Sequence, residues 1–101
     1  MGARVTEGQV VAAIIRRLRK IPGLKVEKTH GGTYGKSGTP DLTGCYRGQR
    51  FDIEVKAPGA NGPTRQQQRE LDAWAAAGAI VGCAWSADDA VQILGPILKG
   101  D

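Results

Sequence analysis

Soft and imidazole metal chemistry is scarce in this chain: it has one histidine and two cysteines, Cys45 and Cys83, at no metal-ligand spacing. A zinc finger or a histidine-metal nuclease motif cannot be built from that set. No apolar run approaches the roughly 20 residues of a membrane span, and the N-terminus carries no signal-peptide hydrophobic region. Internal repeats and low-complexity segments are lacking as well. The expectation is a cytoplasmic protein with reduced, buried thiols and no membrane partner. With 101 residues there is room for a single core, so residues 1–101 are read as one domain.

What the chain does contain is a composition of ordinary globular type, 41% apolar and 24% charged. Net charge is +4 with a pI near 9.4, which suits a polyanionic partner without requiring one. Arg16, Arg17, Arg19, Lys20, Lys25 and Lys28 fall in the first third, and Lys36, Arg47 and Arg50 surround a hairpin. Such a distribution is either a solvated basic face or a nucleic-acid surface.

Thr6 and Gln9 form a capping-box pattern, followed by Val10, Val11, Ile14, Ile15, Leu18 and Ile21 at helical spacing. Pro22-Gly23 ends that helix, and residues 24–29 read as a strand. Residues 30–38 are a glycine-rich loop; residues 41–46 and 50–57 read as a hairpin. After a Gly/Pro/Asn turn, Thr64 and Gln67 repeat the capping box, and Leu71, Trp74 and Ala75 give the second helix its apolar stripe. Gly78 closes it. Residues 79–85 are a run of small apolar side chains, expected to be a strand buried on both faces. Ser86 caps a last helix through Leu94, which Gly95-Pro96 is expected to break or kink. The order α-β-β-β-α-β-α predicts an α/β fold with a mixed four-stranded sheet.

Chemistry concentrates on the hairpin. Gly38-Thr39-Pro40-Asp41 precedes its first strand, and Phe51-Asp52-Ile53-Glu54-Val55-Lys56 is its second. With Gly48 first in a two-residue type II′ loop, position 46 faces 51, 44 faces 53 and 41 faces 56. Opposed residues share a face, so Asp41, Glu54 and Lys56 lie together on the polar side. Leu42, Tyr46, Phe51, Ile53 and Val55 fall on the other, as a core face should. Two carboxylates can hold a hard divalent cation. A neighbouring lysine can orient or deprotonate water, which completes the parts for phosphodiester hydrolysis.

Glu7 precedes Val10 and Val11 by a helical turn and is read as inward-facing, either complementing the helix dipole or meeting a metal or Lys56. Gln67 serves its capping box, or hydrogen-bonds a metal ligand, a water or a phosphate. Gln66 and Gln68 are expected to face solvent. The loop at 30–38 fits neither a Walker pattern nor a dinucleotide fingerprint, so no nucleotide cofactor is expected. Its Lys36 suits a phosphate, its Tyr34 a stacked base, and its His30 a polar loop role. Trp74 and Trp85 are expected in the core. Ile93, Leu94, Ile97 and Leu98 either contribute to a dimer contact or pack on the protomer's own sheet.

The run Gly38-Thr39-Pro40-Asp41, then Ile53-Glu54-Val55-Lys56, then Thr64 with Gln67 and Gly78, resembles the VRR-Nuc branch of the PD-(D/E)XK nuclease superfamily. The likeness extends from Glu7 to the fourth strand, and no core motif residue is missing. The resemblance implies a restriction-endonuclease-like fold and a DNA endonuclease dependent on Mg²⁺ or Mn²⁺. It implies metal ligation by Asp41, Glu54 and the Val55 carbonyl, water orientation by Lys56, and support from Glu7 and Gln67. Members occur as domains appended to large DNA-repair nucleases and as stand-alone phage-sized proteins. The compact chain is similar to the latter, which implies a homodimer cutting branched DNA such as Holliday junctions, with Arg16, Arg17, Tyr34, Lys36 and Arg47 as candidate DNA contacts. The competing readings are a non-catalytic nucleic-acid-binding module and a nuclease subunit active only within a larger recombination or repair complex.

Overall fold

The computed structural model describes residues 4–29 and 37–98. Seven elements follow one another as α1 (Glu7–Leu18), β1 (Leu24–Lys28), β2 (Leu42–Tyr46), β3 (Gln49–Val55), α2 (Arg65–Ala76), β4 (Ile80–Ala84) and α3 (Ala87–Leu98). The sheet runs in the order β1-β2-β3-β4, with the first two pairings antiparallel and β3-β4 parallel. The α/β class, the element order and the mixed four-stranded sheet expected from sequence are all present.

Both capping boxes form. Thr6 accepts from the Gln9 N–H while the Gln9 side chain accepts from the Thr6 N–H, and Thr64 and Gln67 do the same at α2. Each box satisfies donors that a helix start would otherwise leave without partners. Gly78 follows the cap of α2 at φ 109, a conformation glycine adopts without a Cβ penalty.

The hairpin register differs from the expected one by two residues. Arg47 and Gly48, at φ 50 and 86, form the two-residue turn as a type I′, so Tyr46 pairs with Gln49 and Leu42 with Ile53. The cause lies at Gly44, which pairs with Phe51. A Cβ at Gly44 would overlap the Phe51 ring and the Lys25 carbonyl, so the bare position is what seats the ring. A shift of two preserves the alternation of faces. The faces therefore stand as read, but Asp41 continues the ladder opposite Glu54 instead of Lys56.

On one side of the sheet, α1 and α3 pack Val10, Val11, Ile14, Leu18, Ala90 and Leu94 onto Val26, Leu42, Phe51, Ile53, Val55 and Ala84. On the other side α2 lies over β3 and β4. Strand β4 is an edge of the sheet and only its Ala84 is fully buried, contrary to the expectation of burial on both faces. The last helix continues to Leu98 through Pro96. The bond Pro96 forgoes is one to the carbonyl of Gln92, whose residue is exposed to water, and Ile97 and Leu98 pack on the core beyond it. Leu94 is wholly buried, and Ile93, Ile97 and Leu98 are partly buried against the same core. These four side chains thus serve the protomer's own sheet. Neither cysteine is fully buried, Cys45 being exposed and Cys83 intermediate, and both are free thiols. No described helix is long and apolar enough to cross a membrane.

Candidate active site

The end of β3 carries the site because its alternation aims Asp52, Glu54 and Lys56 under α2. Strand residues 51–55 are all buried, so the polar face of β3 holds its carboxylates out of water. Asp52 is matched by Arg50, whose guanidinium donates to both its oxygens at 3.0 and 3.1 Å and lies 3.7 Å from the Trp74 ring centroid. Glu54 is not matched in this way. Its side chain is 3% exposed, Lys56 Nζ stands 3.8 Å from Oε2, beyond hydrogen-bond length, and Oε1 has no hydrogen-bond partner.

Asp41 is placed by two strands. Its Oδ2 accepts from the Val55 N–H at 2.9 Å, and its backbone carbonyl accepts from the Thr29 N–H at 2.9 Å. The Thr29 hydroxyl also donates to the Pro40 carbonyl at 2.6 Å and contacts that of Asp41 at 3.1 Å. A further tie comes from Ser37, whose hydroxyl donates to Gln66 Oε1 at 3.1 Å, fixing the loop before Asp41 to the first turn of α2. Gly38, at φ 86, lets the backbone pass close to Gln66.

These contacts bring Asp41 beside Glu54, and the electrostatics follow. Burial raises the Glu54 carboxyl from its ordinary 4.5 to about 8, helped by the charge of Asp41, by a proton-sharing contact with it, and by Glu7. Lys56 opposes that rise without cancelling it. The Cys83 thiol, across from Glu54 on β4, is pushed up to about 11 by burial and by the same carboxylates, which keeps it protonated and unreactive. Lys56 is 15% exposed and donates to Gln67 Oε1 at 2.9 Å. That same oxygen accepts from the Thr64 N–H, so the capping role and the site role of Gln67, posed as alternatives by the sequence, reside in one atom.

Other sequence candidates fall elsewhere. Glu7 is exposed, not inward-facing, because it sits in the first turn ahead of the buried stripe; its charge nonetheless reaches Glu54. Arg16 and Arg17 lie in the last turn of α1, nine and ten residues beyond Glu7 and so about 14–15 Å along the axis. Arg17 pairs with Asp88 at 3.0 Å. Arg47 stacks on Tyr46 at the hairpin turn, the opposite end of β3 from Glu54, about 20 Å away at strand rise. His30, Tyr34 and Lys36 lie outside the described residues. Trp74 and Trp85 are half-buried rather than core: one carries Arg50, and the other donates from Nε1 to the Ala60 carbonyl at 2.8 Å. Gln66 and Gln68 are exposed, as expected, but the tie of Ser37 to Gln66 and the clamp of Thr29 escaped the sequence, since a hydroxyl or amide that ties one loop to a distant element has no local pattern.

Among the described residues no three His, Cys, Asp or Glu side chains cluster as a complete metal cage. The donor set nevertheless fits a hard cation. Mg²⁺ is commonly bound through only one or two carboxylates while keeping several waters. Here one Asp41 oxygen is engaged by the Val55 amide, and a buried Glu54 oxygen is orphaned beside it. A buried carboxylate oxygen without a donor is costly unless a cation or proton meets it.

Comparison with protein-family models and with curated proteins finds no match. Among solved structures, one called "VRR_NUC domain" is similar at 29% identity and a TM-score of 0.68, covering 94% of this chain and 97% of that one. A second, "VRR_NUC domain protein", has 19% identity and a TM-score of 0.76 over 98% and 93% of the two chains, a likeness of fold. Asp41, Glu54 and Lys56 gather at the end of the sheet, in a chain whose fold is that of the solved VRR_NUC domains.

Proposed function

We propose that the protein is a metal-dependent, structure-selective DNA endonuclease. The observation that carries this reading is the orphaned, buried Oε1 of Glu54 beside Asp41, on a carboxylate whose other oxygen stands 3.8 Å from a lysine held by Gln67. Asp41, Glu54 and the Val55 carbonyl are the groups that would hold Mg²⁺ or Mn²⁺. When bound, such a cation offsets negative charge developing on the scissile phosphate. Lys56, steadied by Gln67, donates to and orients the attacking water, whose proton passes to solvent while the leaving 3′ oxygen takes one up from solvent. Asp41 is kept in place beside Glu54 by the Val55 amide and the Thr29 clamp. Glu7 adds negative potential at the rim, favouring cation capture.

Branched DNA such as a Holliday junction is the proposed substrate, cut by a homodimer. One chain of this size offers one such site, whereas symmetrical cutting of a junction needs two at fixed separation, and two-fold dimers are the commonest closed solution. The test is a panel of duplex, flap, fork and four-way-junction DNAs with Mg²⁺ and Mn²⁺, for the native chain and for Asp41→Ala and Glu54→Ala. Both variants are expected to lose cleavage while binding DNA in metal-free buffer. Native cutting rates in either variant would refute the metal site. A monomer by sedimentation at micromolar concentration, with equal cutting of linear and four-way DNA, would leave a general nuclease.

A further inference from the structure

Beside the site runs a groove of about 560 Å³, lined by Arg4 and Val5 on one wall and by Ala57, Pro58, Gly59 and Ala60 on the other. Each wall is tied to the site through the chain. Val5 is two residues from Glu7, whose charge reaches Glu54, and Ala57 directly follows Lys56. The second wall is a rigid one. The Ala60 N–H donates to the Ala57 carbonyl at 3.0 Å with Gly59 at φ 83, the signature of a type II turn with Pro58 and Gly59 at its centre. Trp85 Nε1 braces the turn through the Ala60 carbonyl.

The chemistry of the lining is unusual for a solvent-facing site. Val5, at 51% exposure, is the only exposed large hydrophobic among the described residues. Ala57, Pro58 and Ala60 add apolar surface opposite it, Arg4 supplies a cation, and none of the described residues lining the groove is acidic. A phosphate with an attached sugar and base matches that combination: the guanidinium suits the phosphate, and the apolar walls suit the furanose and the base face. The size is within the range of small-ligand clefts.

We propose that this groove seats the nucleotide flanking the scissile phosphate, with Arg4 on its phosphate and Val5 against its sugar and base. The inference rests on the nuclease reading above and assigns the strand's path into that site. Arg4 and Val5 thereby act in substrate placement, not in bond breaking.

The test uses the full chain, a fluorescein-labelled four-way junction and its linear duplex. A photoreactive benzophenone amino acid replaces Val5, and the cross-linked nucleotide is mapped against the cut. In parallel, Arg4→Ala, Arg4→Lys and Val5→Asp are assayed for KM, kcat and salt dependence. Both positions are exposed, and circular dichroism checks that each variant folds. The expected result is a cross-link at the nucleotide next to the cleaved bond. Arg4→Ala should raise KM several-fold with kcat kept, and lower the slope of log affinity against log salt by about 0.9 on duplex, one phosphate contact. Arg4→Lys should restore the slope, and Val5→Asp should raise KM. Cleavage that needs Lys56 but gives scattered or distant cross-links, or an unchanged KM in Arg4→Ala, overturns the groove and leaves the nuclease standing. No cleavage of any DNA in the panel overturns the nuclease reading and the groove with it.

Discussion

Strand β3 is buried on both faces, yet its two faces are built for opposite ends. Phe51, Ile53 and Val55 meet α1 and α3 in a continuous apolar core, whereas on the other face Arg50 bonds Asp52 and lies over Trp74 of α2, Glu54 stands beside Asp41 and Lys56, and Lys56 donates to Gln67 of α2. Burial on the first face is favourable by about 1.5–3 kcal/mol per large side chain. On the second face burial of a carboxylate is unfavourable unless it is compensated. Asp52 is compensated by Arg50, and Glu54 is left short of a partner. The difference sets a matched carboxylate only two residues from an unmatched one, and on the function proposed above it is the shortfall at Glu54, not acidity as such, that marks the site.

The comparison breaks most sharply at Lys56. Lys56→Ala should lower turnover by roughly 10²–10⁴-fold, the usual worth of a positioned acid-base group. Mn²⁺ binding by calorimetry should persist, because the lysine is not a ligand in this scheme. A variant that fails to fold would instead make Lys56 structural. On the apolar face, Ile53→Ala should cost about 2–5 kcal/mol of stability in denaturant unfolding, since Ile53 is fully buried. The folded fraction should keep its metal affinity. Loss of Mn²⁺ binding at full folding would show that the two faces are not separable. Arg50→Ala should fall below the roughly 3–5 kcal/mol of a fully buried broken pair, because the Arg50 side chain is 46% exposed and water can partly replace it.

Most of the architecture was legible because its signals are local. Thr6 with Gln9 and Thr64 with Gln67 announce two helix starts, and strict alternation from Phe51 to Lys56 assigns two faces to β3. What failed depended on contacts between distant residues. The turn at Arg47-Gly48 is one position earlier than the glycine alone suggests, since the room Phe51 finds at Gly44 decides the register. The parity of the faces survived because the slip was even. The partial exposure of Cys83 follows from the place of β4 at the sheet edge, and no short window of sequence states that. The Thr29 clamp on Pro40 and Asp41 joins residues eleven and twelve apart across a loop, beyond any periodicity.

A smaller effect sharpens the same contrast through pH. Glu54 in the folded chain takes its proton at about 8 against an ordinary 4.5, so between these values the folded state holds more protons than the unfolded one. By linkage, the contribution of Glu54 to stability in chelator should be full below about 4.5, fall as pH rises through the window, and be lost above about 8. Glu54→Gln should flatten this decline and raise Tm at the alkaline end by a few degrees. Mn²⁺, which needs the deprotonated carboxylates, should bind more tightly as pH rises and reverse the loss. Scanning calorimetry of the native chain and Glu54→Gln from acid to pH 9 decides it; a Tm difference between them that does not change with pH would mean that Lys56 fully compensates Glu54.

The least expected loss, and the most selective, is at Thr29. Its hydroxyl contacts two carbonyls at the entry to the site and no candidate metal ligand side chain. Thr29→Val keeps the shape and the β-branched fit to a strand end while leaving those carbonyls one donor short. The backbone bond from the Thr29 N–H to the Asp41 carbonyl remains, so the strands stay joined. Stability should drop by only about 1 kcal/mol, the net worth of a typical hydrogen bond. Catalysis should suffer more than that in proportion, because Asp41 must be held within a fraction of an ångström to serve a shared cation with Glu54. The signature of such a positioning role is weaker Mn²⁺ binding together with a lower kcat, restored by Thr29→Ser, which returns the hydroxyl. If Thr29→Val loses stability alone, with Mn²⁺ affinity and kcat untouched, the clamp holds the sheet and not the site.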